Sequence, residues 1–194
     1  MLSAMSEAQL PQDNRLEIAF AGRSNVGKSS LLNGLCMQHD LARTSKTPGR
    51  TQALNLFELD ANFGALRLVD MPGYGYAKAP KQLVAGWTKL IHDYIKGRVN
   101  LRRVYLLIDA RHGLKKSDEA VLETLNQAAV STRIILTKLD KLSHNQANLM
   151  RDKVKETIEK QACCLPDIIL TSSQKKIGMA DLQADIAGLF EDNG

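Results

Sequence analysis

The chain has 194 residues, enough for one domain with a full core, and its 44% hydrophobic and 24% charged content is that of a globular protein, not a disordered one. A net charge of +5 suits an anionic partner, with RNA the leading candidate, beside the plainer reading of a mildly basic soluble protein. Cys36, Cys163 and Cys164 make no C-x-x-C pair, which argues against zinc and a disulfide framework, and no apolar stretch reaches the ~20 residues of a membrane span. A cytoplasmic protein with reduced thiols is expected.

Residues 1–14 are polar, lack a basic start and carry Glu7 and Asp13, so they are expected to form a flexible segment and not a signal peptide. Residues 15–194 then read as a single domain. In chain order, apolar runs predict strands at 17–21, 53–60, 65–70, 104–109, 133–137 and 167–171. Helical segments are predicted at 28–37, 81–97, 117–129, 143–161 and 178–191. Ala61-Asn62-Phe63-Gly64 is short enough to make the second and third strands an antiparallel hairpin. Helix-length segments separate the other strands, which requires crossovers and parallel pairing. The expected fold is α/β: a six-stranded, mixed but mostly parallel sheet with helices on both faces, three layers in all. Ser117 ahead of Asp118 and Glu119 marks one helix start, and Ser143 with Gln146 forms a capping-box pattern at another.

Between the first strand and first helix stands Gly22-Arg23-Ser24-Asn25-Val26-Gly27-Lys28-Ser29, a complete G-x-x-x-x-G-K-[ST] phosphate-binding loop. Backbone N–H groups of such a loop wrap a β-phosphate, and the helix N-terminus adds partial positive charge. Lys28 can reach the β- and γ-oxygens, and the Ser29 hydroxyl can ligate magnesium. Asp70-Met71-Pro72-Gly73 closes the third strand: a carboxylate that can hold magnesium through water, then a glycine N–H that can sense a γ-phosphate. The base is read at Thr137-Lys138-Leu139-Asp140. An Asp carboxylate accepts guanine N1–H and the exocyclic amine together, which adenine cannot offer, and the Lys138 stem can lie along the purine. Thr171-Ser172-Ser173, after the last strand, suits the guanine O6 or a plain turn. An ATPase of another phosphate-loop class is the competing reading, against which the Asp140 motif speaks.

The order of these motifs is that of the translation-factor class of GTPases. Ala21 to Leu31, Thr47-Pro48-Gly49-Arg50-Thr51-Gln52 and Asp70-Met71-Pro72-Gly73-Tyr74-Gly75-Tyr76-Ala77 resemble the EngB family (also called YihA or YsxC) of the TrmE-Era-EngA-EngB-type superfamily. The resemblance runs from about Glu17 to about Phe190. It implies a G domain that binds GTP and GDP with Mg2+, acts in assembly of the large ribosomal subunit, and is linked to cell division and septation. It also extends the nucleotide contacts to Gly49, Arg50, Thr51, Gln52 and Ala53. Thr47 and Thr51 compete as second magnesium ligand, and the family pattern selects Thr51. The catalytic set is then Lys28, Thr51 and Gly73.

Where many GTPases carry a Gln after the D-x-x-G turn to orient water, this chain has Tyr74, so slow intrinsic hydrolysis is expected, completed by a partner or a monovalent cation. Asn25 is either a potassium ligand beside the phosphates, as in GTPases resembling this one, or a turn residue. Tyr74, Tyr76, Lys78 and Lys81 are either an RNA-stacking surface or one inward tyrosine with solvated lysines. Lys96, Arg98, Arg102, Arg103, Lys115, Lys116, Lys175 and Lys176 form further basic clusters that either touch ribosomal RNA or are solvated. The expected partner is the large subunit or its precursor, met by a monomer. The alternative is a regulatory binding module of the division machinery with little hydrolysis.

Overall fold

Alternation of side chains along the central strands decides the layering in this computed structural model, which describes residues 2–36, 53–61, 64–75 and 81–191. On β2 (Leu16–Gly22), Ile18 and Phe20 face one side of the sheet and Ala19 and Ala21 the other. On β5 (Leu101–Asp109), Tyr105 and Leu107 join the first side, and Val104, Leu106 and Ile108 the second. Helices α1 (Lys28–Leu35) and α5 (Met179–Glu191) bury Leu31, Leu32, Leu182, Ile186 and Leu189 against the first side. Helices α2 (Lys81–Gly97), α3 (Lys116–Gln127) and α4 (His144–Ile158) bury Tyr94, Ile95, Leu122, Leu125, Val154 and Ile158 against the second. Strands covered on both faces read as near-continuous apolar runs, as Ile18 to Ala21 and Val104 to Ile108 do.

Among the described residues the sheet has seven strands, where six were expected, in the order β1-β3-β4-β2-β5-β6-β7. The addition is β1 (Leu2–Ala4), within the segment expected to be flexible; it pairs antiparallel with β3 (Leu54–Ala61), Leu2 opposite Leu56 and Ala4 opposite Leu54. Three residues carry too little periodicity to be read as a strand. What orders them is the open edge of β3, together with burial of Ala4 and the Ser3 hydroxyl donating to Asn55 Oδ1 at 2.8 Å. The β3–β4 hairpin forms, with β4 at Gly64–Asp70. β2, β4, β5, β6 (Thr132–Thr137) and β7 (Ile169–Leu170) pair in parallel.

Helix α3 starts one residue earlier than predicted, with Lys115 as its cap residue in place of Ser117. The Asp118 carboxylate reaches back to accept the Lys115 N–H at 2.8 Å, so an acid in the first turn does the work assigned to the serine. At α4 the Ser143–Gln146 box forms: Gln146 Oε1 accepts the Ser143 N–H at 3.0 Å and Ser143 Oγ accepts the Gln146 N–H at 3.4 Å.

At the amino ends of the strands lies a buried ionic cluster. Glu17 and Arg67, both fully buried, meet across β2 and β4 at 2.8 Å. Arg67 also donates to Asp13 and Glu58, while Glu17 accepts from Arg98 and Tyr94. Burial pushes the Glu17 carboxyl up, but Arg98 and Arg67 outweigh it and hold the group below the usual range. This cluster pins Pro11 and Asp13 to the domain and leaves the opposite ends of the strands to the functional loops.

Candidate nucleotide-binding site

The phosphate loop leaves β2 at Gly22, where a β-carbon would lie 2.8 Å from Val26 Cγ1 and 3.1 Å from the Leu107 carbonyl. Only glycine lets strand and loop pack that closely. Asn25 (φ 64°) and Gly27 (φ 108°) take positive dihedrals, and the turn is closed by the Val26 N–H donating to Arg23 O at 3.1 Å. Such alternation makes a concave nest of backbone N–H groups, an anion cradle at the start of α1. Lys28 opens that helix, and its ammonium pairs directly with the Asp70 carboxylate. The two side chains are 11% and 8% exposed, so the loop's cation and the carboxylate at the end of β4 meet in a largely dry pocket. Asp70 sits there because β4 runs parallel to β2, with Phe20 opposite Asp70.

These donors fit a hydrated magnesium ion carried by a nucleotide: an ammonium for phosphate oxygens, the half-buried Ser29 beside it, and a carboxylate in reach of both. Among the described residues no cluster of three His, Cys, Asp or Glu could hold a metal alone. Gly49, Arg50, Thr51 and Gln52 lie outside the described residues, as do Tyr76 and Lys78; Ala53 leads into β3.

After Asp70 the chain folds back on the phosphate loop. Met71 and Pro72 are buried, and the Met71 N–H donates to Phe20 O at 3.1 Å. The Ser24 N–H donates to Tyr74 O at 3.0 Å, and the Tyr74 N–H to Gly22 O at 3.3 Å. Gly73 packs so tightly that a β-carbon would stand 3.1–3.2 Å from three atoms of Ser24. Tyr74, at the place of the usual Gln, turns its hydroxyl into the protein to donate to Asp118 Oδ1 at 2.8 Å. Burial first, then the Asp118 charge, pushes its phenol well above the ordinary value, so it stays protonated and cannot act as a base. Of the two readings of this tyrosine, the inward one is the geometry found.

The base-reading strings come together from two strands. Asp140 Oδ1 accepts the Ser172 hydroxyl at 2.6 Å, and Lys141 lies 3.1 Å from Oδ2. The serine hydroxyl first, then Lys141, holds this carboxyl below its usual range and so ionised, the form able to accept two hydrogen bonds from guanine. The Leu139 N–H donates to Thr171 O at 3.2 Å, and buried Thr171 is fixed by the Leu136 carbonyl; Ser173 follows, half-buried. Thr137 donates its hydroxyl to the Val26 carbonyl at 2.7 Å, tying β6 to the phosphate loop. Lys138 (φ 61°) stretches over the same loop, its ammonium donating to Asn25 O at 2.6 Å and standing 3.0 Å from Asp109 Oδ2.

Two functional candidates escaped the sequence reading. Asp109 ends β5, is buried, and accepts from Arg111 at 2.7 and 2.9 Å as well as facing Lys138. Burial pushes it up, yet Arg111 and Lys138 prevail and hold it well below the carboxylate range. A carboxylate closing an apolar strand is the signal that marked Asp70, and it marks Asp109 equally. The other is Asp118, legible only as a helix-start acid. Arg98 and Arg103, grouped with the surface basic residues, are instead engaged inside: Arg98 with Glu17, and Arg103 with Asp185 at 2.7 Å.

Comparison with known proteins agrees with this geometry. The family described as 50S ribosome-binding GTPase matches residues 17–138. The chain is 53% identical over 189 residues to a probable GTP-binding protein EngB of Brucella melitensis, covering 94% of this chain and 78% of that protein. It is 54% identical over 183 residues to the corresponding protein of Rhizobium meliloti, covering 91% and 84%. Among solved structures, a probable GTP-binding protein EngB superposes with a TM-score of 0.67 at 23% identity, covering 91% of this chain and 99% of that one. Era in complex with MgGDPNP and nucleotides 1506–1542 of 16S ribosomal RNA superposes at 0.74 with 20% identity, over 89% and 55%, a likeness of fold. The phosphate-loop α/β fold is thus that of a G domain, no helix among the described residues is long and apolar enough to cross a membrane, and the chain belongs to the EngB family of GTP-binding proteins, GTPases that bind guanine nucleotides.

Proposed function

We propose that this GTPase is a slow, magnesium-dependent nucleotide switch in assembly of the large ribosomal subunit, linked to normal cell division and septation, and that it works as a cytoplasmic monomer. The observation that carries the reading is the convergence, at the carboxyl-end edge of the sheet where the strands finish, of the Lys28–Asp70 pair, the Gly73 turn and the Asp140–Ser172 turn. Open α/β sheets bind their ligands at that edge. Lys28 holds the β- and γ-phosphates once the nucleotide takes it from Asp70. Ser29, Thr51 and, through water, Asp70 would hold the magnesium, which would supply positive charge beside the transferred phosphoryl group. The Gly73 N–H contacts the γ-phosphate, and Asp140 and Ser172 read the guanine.

Hydrolysis is slow because the residue after Gly73 offers no water-orienting amide and its phenol is committed to Asp118. A partner or a potassium ion beside Asn25 completes the site; equal rates in potassium and sodium at matched ionic strength would exclude the ion. The same commitment of Tyr74 favours a second reading, a binding module of the division machinery with little intrinsic turnover. Ribosome contact is supported by the matched family's description and by exposed Arg111, Lys115, Lys175 and Lys176 on loops around the site and Lys116 at the start of α3. The test is cosedimentation with large subunits and their precursors, GDP against a non-hydrolysable GTP analogue across a salt series, with Lys28→Ala as control. Retention with the analogue alone, surviving moderate salt, supports the switch. Equal, salt-labile retention in both states refutes it and favours the division module.

A further inference from the structure

Three segments far apart in sequence meet at one buried carboxylate. Asp118, in the first turn of α3, has no exposed surface, and both its oxygens are engaged. Oδ1 accepts the Tyr74 phenol at 2.8 Å, and Oδ2 accepts the Lys115 N–H at 2.8 Å and faces Arg23 Nε at 3.3 Å. Arg23 belongs to the phosphate loop and pairs through its backbone with Tyr74. Its Nε and Nη2 are both buried without a hydrogen-bond partner among the described residues, so the Asp118 contact is one of charge, and it supplies what this guanidinium needs. Gly75, at φ 74°, threads the chain between Arg23 Cγ and Ser117 Oγ, each 3.5 Å from where its β-carbon would be. A side chain there would be strained by that φ, although both contacts are of ordinary van der Waals length.

We propose that Asp118 is a positioning residue for the γ-phosphate contact: through Tyr74 and Arg23 it clamps the Asp70–Gly73 turn onto Ser24 of the phosphate loop. The inference rests on the reading of Gly73 as the γ-phosphate sensor. Its physical content is preorganisation. With the clamp made, the Gly73 amide already stands against the phosphate loop, and GTP spends no binding energy placing it. With the clamp broken, GTP must order that turn itself. GDP, lacking the γ-phosphate, gains nothing from it either way. The clamp therefore sets the preference between the two nucleotides and links it to the first turn of α3, next to exposed Lys115 and Lys116.

Tyr74→Phe removes only the hydroxyl and leaves Asp118 with two partners, so the fold is retained. Affinities of the full chain for fluorescent GDP and a fluorescent non-hydrolysable GTP analogue, both with magnesium, provide the readout. Tyr74→Phe is expected to weaken the analogue by about ten- to a hundredfold, the range for a hydrogen bond to a charged group, with GDP within twofold. Asp118→Asn, which keeps an acceptor but loses the charge opposite Arg23, should shift the ratio the same way. Equal weakening of both nucleotides or an unchanged ratio would overturn the clamp. Should Asp118→Asn fail to fold, Tyr74→Phe decides alone. A wild-type protein whose grip on the analogue ignores the γ-phosphate would instead overturn the sensor reading beneath it.

Discussion

Thr137 stands where guanine-reading motifs more often have Asn, and the structure gives its hydroxyl a task that can be measured. It donates to the Val26 carbonyl at 2.7 Å inside a contact where Thr137 is 4% and Val26 3% exposed, with the Ile108 carbonyl a longer 3.3 Å away. One hydroxyl proton serves one acceptor well, so the Val26 bond is the one to count. Thr137→Val keeps the shape and removes the donor, leaving a buried carbonyl of the phosphate loop unpaired, at a cost of about 1–3 kcal/mol. Global stability should fall by about 2 kcal/mol, or roughly 4–8 °C in Tm for a domain of this size. Because the bond positions the loop between Arg23 and Lys28, GDP affinity should fall as well, by about tenfold if some 1.4 kcal/mol is expressed in binding. Urea unfolding of the nucleotide-free protein and calorimetric titration with GDP measure the two terms. Thr137→Ser, which keeps the donor and loses a methyl, is the control: its stability falls but its GDP affinity stays within about threefold. Affinity lost equally in the Ser and Val variants would refute the role of the hydroxyl.

Gly27→Ala tests strain without a clash, since the nearest atom to a β-carbon there is Lys138 Cε at 3.8 Å, yet φ is 108°. The cost of about 1–3 kcal/mol should appear as a matching loss of GDP affinity with the circular dichroism unchanged; wild-type affinity would show that the loop tolerates a side chain. Asp140→Asn replaces an acceptor pair with one acceptor and one donor, so GTP and GDP should weaken by at least about a hundredfold while a xanthine nucleotide, with a carbonyl at that edge, gains. Competition titrations decide it, and parallel losses for both bases would remove Asp140 from base reading. At the other end of the sheet, hydrogen bonding to Arg67 first holds the Asp13 carboxyl at about 2, against an ordinary 3.8. A depressed folded value means stabilisation that is complete above pH ~4 and disappears as pH falls through about 2, so Asp13→Asn should flatten the acid limb of thermal stability in that window. An unchanged limb would show that Asp13 adds nothing to the cluster.

What the sequence made legible shares one property: its information is local. The strand-loop-helix at 16–35, the hairpin at 54–70 and the Ser143 box are each written within about twenty residues, and each forms. The same holds for the strings that line the sheet edge, because a phosphate cradle or a carboxylate after a strand needs only its own turn. Parallel pairing then brings strings 42 and 32 residues apart into contact, Lys28 with Asp70 and Asp140 with Ser172. β1 was illegible because its cause is an edge contributed by residues more than fifty positions away. The buried charges failed the same way: Arg67 alternates with apolar neighbours as a solvated residue would, and only Glu17, Asp13 and Glu58 together make its burial tolerable.

The same distinction separates the parts of the site. The groups proposed to touch the nucleotide announce themselves, since chemistry fixes residue type at fixed spacing. Tyr74 and Asp118, 44 residues apart, carry no such mark: a tyrosine after a turn and an acid in a helix start are ordinary features, each with a bland reading of its own. Only the fold makes them partners, placing α3 beside the turn that follows β4. A clamp of this kind can therefore differ between relatives while the phosphate loop stays the same. Nucleotide preference would then be set by residues that never meet the nucleotide, and a surface pressing on Lys115 and Lys116 would reach Gly73 through a single carboxylate.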